Sequence, residues 1–274
     1  MIPFFSVIIP TLNEEKYLPR LLKNLQSQKE KDFEIIVADA NSEDGTREIA
    51  LKYNSLSIRV FNNQRKNVAY QRNIGAEKAR GTYLVFLDAD AGISPTFFSR
   101  LHTYIEKKKG LLFLPSVKPY ERMGQAEIIF PLVNFFLEAS QNFGSPFSTG
   151  GSIIVEKNFF HLIGGFNEKL FISEDHDLVQ NAYSWGVKAK FLRNITFRFS
   201  LRRMKKEGQL SLFYKYLVAT AHVLLRRQMK KKVFEYEMGG QFYKQHDKKQ
   251  DMNILIKDYI LQIKRFFSQV LSEE

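Results

Sequence analysis

Short apolar runs alternate with helical patterns over the first half of the chain, which predicts an α/β sheet with crossover helices. Phe5-Ser6-Val7-Ile8-Ile9 reads as a buried strand, and Asn13 to Gln28 as the helix after it. Phe33-Glu34-Ile35-Ile36-Val37-Ala38 gives a second strand and Ser57-Ile58-Arg59-Val60-Phe61 a third. Val68 to Ala79 has helical spacing with Gly81 as its stop, and Tyr83-Leu84-Val85-Phe86-Leu87 is a wholly apolar strand running into Asp88. After Pro95 an amphipathic helix ends in Lys107-Lys108-Lys109-Gly110, followed by a strand from Leu111 to Val117. Gly151 to Val155 reads as another strand, and Ser173 opens a helix that runs to Trp185 and stops at Gly186. From about Gln209 the chain reads as mostly helical and basic. With no internal repeat or low-complexity linker, the expected organisation is one α/β domain over 1–208 and a helical extension over 209–274.

Composition narrows the classes. A hydrophobic share of 44% beside 26% charged residues is that of an ordinary globular protein. Cysteine is absent, which excludes a disulfide framework, a thiolate ligand and a thiol nucleophile, and fits a reducing compartment such as the cytoplasm. Residues 1–6 carry no basic leader pattern, and the apolar run after them stops at Pro10. Ile128 to Leu137 is the best candidate for a membrane span, but it falls short of the roughly 20 apolar residues needed and is interrupted by Pro131 and Asn134. The formal charge is +12, and the stretch from Arg198 to the end holds 17 Lys and Arg against 8 Asp and Glu. Such a surplus attracts phosphates, nucleic acid or anionic lipid without distinguishing them.

Ligands of open α/β sheets collect at the carboxyl ends of the strands. Three strands here end in polar runs: Pro10-Thr11-Leu12-Asn13-Glu14, Asp39-Ala40-Asn41-Ser42-Glu43-Asp44-Gly45-Thr46 and Asp88-Ala89-Asp90. Alternating carboxylates past a buried strand can hold a hard divalent cation that bridges a diphosphate, or can simply solvate the turn. A calcium-binding EF-hand is excluded because the twelfth position from Asp88 is Ser99, not Glu. A phosphatase of the haloacid-dehalogenase type would carry Thr or Val where Gly92 stands. Glu174-Asp175-His176-Asp177 is a second acidic cluster, read either as a helix cap or as the source of a general base. His176 reads as a packed or hydrogen-bonded neighbour. Arg202-Arg203 with Lys205-Lys206 could neutralise a diphosphate or form a solvated loop.

These motifs, in this order, resemble family 2 glycosyltransferases, which have the GT-A type fold. The resemblance runs from Ser6 to about Gly208. It rests on Ser6-Val7-Ile8-Ile9-Pro10-Thr11-Leu12-Asn13-Glu14, Val37-Ala38-Asp39 with Ser42 and Asp44-Gly45-Thr46, and Gln71-Arg72-Asn73-Ile74-Gly75. Leu87-Asp88-Ala89-Asp90 and Gly164-Gly165-Phe166-Asn167-Glu168 followed by Glu174-Asp175 complete it. It implies a mostly parallel sheet with flanking helices, a nucleotide-binding half over about 1–117 and an acceptor half over about 118–208. It further implies an inverting transfer from a nucleoside-diphosphate sugar, UDP-sugar favoured, to an acceptor hydroxyl, with Mn²⁺ or Mg²⁺ as cofactor. Pro10, Thr11 and Glu14 would lie against the nucleoside, Asp39 would accept from the base, Arg72 would flank it, and Asp88 would face the ribose. Asp90, with Asp88, would hold the metal, Arg202 and Arg203 would cover the diphosphate, and Asp175 would deprotonate the acceptor beside Glu174, Gly150 and Gly151.

Gly92 departs from relatives with a further polar side chain at the metal. The Gln-x-x-Arg-Trp motif of processive synthases is missing, since Trp185, the one tryptophan, follows Ser184. The tail interleaves Phe213, Tyr214, Tyr216 and Leu217 with Arg226, Arg227, Lys230, Lys231 and Lys232, a pattern that suits a helix on the anionic inner membrane leaflet, with a lipid-linked acceptor, or one packed on the domain. The alternatives are the phosphatase using Asp88 and Asp90, or a basic nucleic-acid binder. The latter leaves the cleft acids unexplained, so no nucleic-acid partner is expected.

Overall fold

The computed structural model describes residues 2–53, 55–120, 129–142, 146–148, 150–170 and 173–200. Arg202, Arg203 and the expected extension over 209–274 lie outside the described residues. In chain order the elements are β1 (Phe5–Thr11), α1 (Leu18–Gln26), β2 (Phe33–Asp39), α2 (Thr46–Leu51), β3 (Ile58–Asn62), α3 (Val68–Lys78), β4 (Tyr83–Leu87), β5 (Gly92–Ile93), α4 (Phe97–Lys108), β6 (Leu112–Pro119), α5 (Ile129–Ser140), β7 (Ser152–Glu156), α6 (Lys157–Leu162), α7 (Glu174–Ser184) and β8 (Lys190–Phe199).

The strands form one mixed sheet in the order β3-β2-β1-β4-β7-β6-β8-β5. Strands β1 to β4 are mutually parallel, β7 runs antiparallel to both β4 and β6, β8 is parallel to β6, and β5 is antiparallel to β8. The parallel character implied by the resemblance holds from β1 to β4 and again between β6 and β8, while β7 and β5 run against their neighbours. Side-chain alternation explains the layering. Phe5, Val7 and Ile9 of β1 join Ile35, Val37 and Val85 in a cluster with Leu18, Leu21, Leu22 and Leu25 of α1 and Phe97 and Phe98 of α4. Ile8, Ile36, Leu84 and Phe86 point the other way, into Ala69 and Ala76 of α3, Phe159 and Phe160 of α6, and Leu178 and Val179 of α7. Strands buried on both faces read as unbroken apolar runs, which is why they were legible.

One expectation is corrected. The first helix begins at Leu18 rather than Asn13, because Asn13 has φ +58° and the next residues form a turn, with Tyr17 N–H and Leu18 N–H both donating to Glu14 O. The apolar run from Ile128 folds as α5, a helix of 12 residues, and among the described residues no helix is long and apolar enough to cross a membrane. Strand β8 and helices α2, α5 and α6 were not anticipated. In β8, Ile195 and Phe197 face the core, but the consecutive exposed pair Arg193 and Asn194 breaks the alternation.

Close packing of α3 on β1 depends on Gly75, where a Cβ would lie 2.5 Å from Ile8 Cγ2. Gly75→Ala is therefore expected to cost about 1–3 kcal/mol of stability through overpacking, despite alanine's better helix propensity. Urea unfolding of the full chain checks this.

Candidate active site

The order β3-β2-β1-β4 puts the crossover reversal between β1 and β4, so the loops after these strands border one crevice. The loops after β1 and β2 are laced together by side chains. Asn13 N–H donates to Ser42 Oγ at 2.8 Å, Glu43 N–H to Asn13 Oδ1 at 2.8 Å, and Glu14 N–H to Thr46 Oγ1 at 2.8 Å. Asn13 and Asn41 both have φ +58°, a left-handed conformation that asparagine tolerates and that turns the chain sharply off each strand. Asp39 lies at the centre, fully buried. Its Oδ1 accepts the hydroxyls of Thr11 at 2.8 Å and Ser42 at 2.5 Å, and its Oδ2 accepts Ser42 N–H at 2.8 Å. Arg47 Nε stands 3.9 Å from the same carboxylate. Pro10, which pairs with Ala38, and Glu14 are also buried. With two of its lone-pair positions taken on one oxygen and one on the other, Asp39 keeps acceptor capacity for a further N–H.

Three consecutive residues of α3 hold the rest of the site. Gln71 Nε2 donates to Thr11 O at 2.8 Å and Ala38 O at 2.7 Å, tying the ends of β1 and β2 to the helix. Asn73 Nδ2 donates to Phe166 O at 2.9 Å and Glu168 Oε1 at 3.0 Å, and its Oδ1 accepts Phe166 N–H at 2.9 Å, so the Gly-Gly-Phe loop is pinned to α3. Gly165, at φ +69°, gives Asn73 its room, since a Cβ there would lie 2.8 Å from Asn73 Oδ1.

Between them Arg72, only 3% exposed, joins the two acidic clusters. Its Nη1 donates to Glu174 Oε1 and to Asp175 Oδ1, each at 2.8 Å, and its Nη2 to Asp88 Oδ1 at 2.9 Å and Gly150 O at 3.2 Å. Glu174 and Asp175, in the first turn of α7, thus turn inward to the guanidinium, and Ser173, at φ +68°, makes no side-chain cap hydrogen bond. Gly150, at φ +78°, brings main chain against the base candidate: a Cβ there would lie 2.6 Å from Asp175 Oδ2. Gly151 serves packing, because its Cβ would meet Phe197 at 2.6 Å.

The electrostatics follow from this count of groups. One guanidinium faces three carboxylates, so negative charge is in excess. Burial pushes the Asp175 carboxyl well above the usual range; Arg72 opposes the shift, while Glu174 and Asp88 add to it. Arg72 is held more firmly charged by Asp175, Asp88 and Glu174 than its burial can undo. Burial raises Asp177 as well, against a hydrogen bond from Asn167. His176 accepts Ser148 N–H on Nδ1 at 3.0 Å, and burial lowers it to about 4, so it is a neutral acceptor that orders the loop before Gly150.

Asp88, with its side chain 35% exposed, lies at the edge of this cluster, and half-buried Asp90 follows two residues on in the turn after β4. Among the described residues no group of three or more His, Cys, Asp or Glu side chains is arranged to hold a metal ion by itself. Two hard oxygen donors beside surplus negative charge nonetheless fit Mg²⁺ or Mn²⁺, which keep water and phosphate among their ligands. Gly92, read as a missing metal contact, has a packing reason: its Cβ would strike Tyr120 at 2.2 Å. The structure thus gathers Asp88, Arg72, Gly150, Glu174 and Asp175, and separately Thr11 and Asp39, with α3 linking the two groups. Gln71, Asn73 and Ser42 went unassigned in the sequence. The available signal was a run of polar residues on a helix that has to pack.

The glycosyl transferase family 2 profile matches residues 6–161. The chain belongs to this family. A family relative from Methanococcus voltae, dolichyl N-acetyl-alpha-D-glucosaminyl phosphate 3-beta-D-2,3-diacetamido-2,3-dideoxy-beta-D-glucuronosyltransferase, is 33% identical over 113 residues, 39% of this chain and 35% of its own length. Poly(ribitol-phosphate) beta-N-acetylglucosaminyltransferase TarS of Staphylococcus aureus is 26% identical over 208 residues, 73% of this chain and 36% of its own. Its fragment 1–349 solved with UDP-GlcNAc superposes with TM-score 0.61, at 23% identity, over 82% of this chain and 68% of that one. Mannosyltransferase PcManGT of Pyrobaculum calidifontis, solved with GDP-Man and Mn²⁺, gives TM-score 0.61 at 18% identity over 80% and 65% of the two chains. The chain spans 35% and 36% of the length of the two curated relatives named here.

Removing the guanidinium leaves three facing carboxylates without their cation. Arg72→Met is expected to destabilise the fold by about 3–5 kcal/mol at neutral pH, and by less in acid, where the carboxylates protonate. A second expectation concerns Asp175. Between the ordinary carboxylate range and its raised native value, the folded protein keeps a proton that the unfolded chain has released, so stability falls as pH rises through that window. Asp175→Asn should remove this part of the slope in urea midpoints measured across pH.

Proposed function

We propose that this chain transfers a sugar from a nucleoside-diphosphate donor, UDP-sugar favoured, to an acceptor hydroxyl with inversion at the anomeric carbon. The observation that carries the reading is the span of Arg72: one buried guanidinium bonds Asp88 on the donor side and Asp175 on the acceptor side. Groups that must act on the two faces of one sugar are thereby held within a single side chain's reach. Asp39, Thr11 and Glu14 line the nucleoside end of the crevice, and Arg72 braces the acids that flank it. Asp88 faces the ribose, and Asp90 with Asp88 supplies the cation's carboxylates. A divalent cation there would neutralise charge on the departing diphosphate.

Asp175 is the base of this scheme. Its raised affinity for a proton suits a carboxylate that takes one from an alcohol. The acceptor oxygen bonds to the anomeric carbon as the bond to the diphosphate oxygen breaks, through an oxocarbenium-like state, and the acceptor proton passes to Asp175. One displacement without a covalent enzyme intermediate gives inversion. The dolichyl phosphate in the name of the Methanococcus voltae relative supports a lipid-linked acceptor, as does the polyol phosphate in that of TarS for a cell-envelope one.

A thermal-shift screen of UDP- and GDP-sugars with and without Mn²⁺ tests this reading on the full chain. Stabilisation should need nucleotide and metal together, and Asp90→Ala should abolish the metal-dependent part. Asp175→Asn should keep that stabilisation yet lose about 10²- to 10⁴-fold in turnover. Release of inorganic phosphate in place of nucleoside diphosphate would instead favour a phosphatase.

A further inference from the structure

The segment after β4 is held by one face of α1. Arg20 Nη2 donates to the main-chain carbonyl of Asp90 at 2.8 Å. One turn on, Asn24 Oδ1 accepts Ile93 N–H at 3.0 Å, and just past the end of α1 Gln28 Nε2 donates to Ser94 O at 2.7 Å and to Asn24 O at 2.9 Å. Arg20 and Asn24, a helical turn apart, and Gln28 beyond them thus form a polar splint along residues 90–94. Within the turn itself, Ala91 N–H donates to Asp88 O at 2.9 Å.

Arg20 is itself fixed. Its guanidinium carbon lies 3.4 Å from the centre of the Tyr120 ring, and Arg198 approaches the same ring at 5.8 Å. The ring's position depends on Gly92, whose absent side chain Tyr120 replaces, and on Tyr120 N–H, which donates to Phe199 O at 2.9 Å. Thus β5, β8 and the end of β6 together set where Arg20 can reach.

We propose that Arg20 is a positioning residue for the cation-binding turn: lodged against Tyr120, it fixes the Asp90 main chain and so the direction in which the Asp90 carboxylate meets a divalent cation. This rests on the reading of Asp90 as a cation ligand. Arginine suits the task because a planar guanidinium can stack on a ring and donate from its edge, which a lysine ammonium cannot do in one geometry.

The test is Mn²⁺ affinity of the full chain in saturating UDP, read from the electron paramagnetic resonance signal of free Mn²⁺. Arg20→Met should weaken Mn²⁺ binding by about 10- to 100-fold, the usual effect of removing a group that orients a ligand. Tyr120→Leu should weaken it by roughly 3-fold through loss of the cation–π contact, while Tyr120→Phe keeps the ring and should match the wild type. Wild-type Mn²⁺ affinity in Arg20→Met would overturn the proposal, and a lowered melting temperature alone would assign the residue to stability. Should Arg20→Met fail to fold, Arg20→Lys carries the test, with weakened binding supporting the role and unchanged binding refuting it. A wild-type chain that binds no Mn²⁺ with UDP present would instead sink the cation reading of Asp90.

Discussion

The site depends on a single buried cation surrounded by more negative charge than it can balance. Arg72 lies in the interior, where an isolated charge would be intolerable, and it is stable there because the bonds it makes are to carboxyl and carbonyl oxygens. Those partners come from three separate segments: the tip of β4, the turn before β7 and the first turn of α7. No one of them is near another in sequence, so the guanidinium supplies the geometry that the chain's local preferences cannot.

Topology explains why these segments are available to it. The reversal of strand order beside β1 leaves a crevice at the carboxyl ends, and β7, entering antiparallel, delivers Gly150 to that same end of the sheet. Helix α3, returning from β3 to β4, crosses beneath both loops. A purely parallel continuation would have carried the chain past β4 toward the other edge. The mixed sheet is thus part of the site's construction rather than a variation on it.

Much of this was legible from residues alone, and the boundary is physical. Strands β1, β2 and β4 are buried on both faces and read as apolar runs, so their ends, and the polar runs following them, could be located. Asp88 and Asp90 stood out as alternating acids past a buried strand, and Asp175 as one of three acids at a helix start, more than a cap alone requires. What the sequence could not show is which acids share a cation: Arg72 and Asp175 are 103 residues apart, and no local pattern encodes that pairing. The late start of α1 was hidden because Asn13 to Tyr17 satisfy helical spacing while bonding to the loop after β2. Strand β8 was missed because its apolar alternation breaks at Arg193 and Asn194.

Gln71, Arg72 and Asn73 occupy successive positions on one helix, each directed to a different neighbour: the strand tips, the acids and the Gly-Gly-Phe loop. Helix α3 cannot rotate or slide to suit an altered residue at one of these points without disturbing the other two. Substitutions in the three surrounding loops should therefore behave as coupled, with combined effects departing from the sum of single ones. Loop positions that make no bond to α3 are free of this constraint, and changes there can accumulate independently.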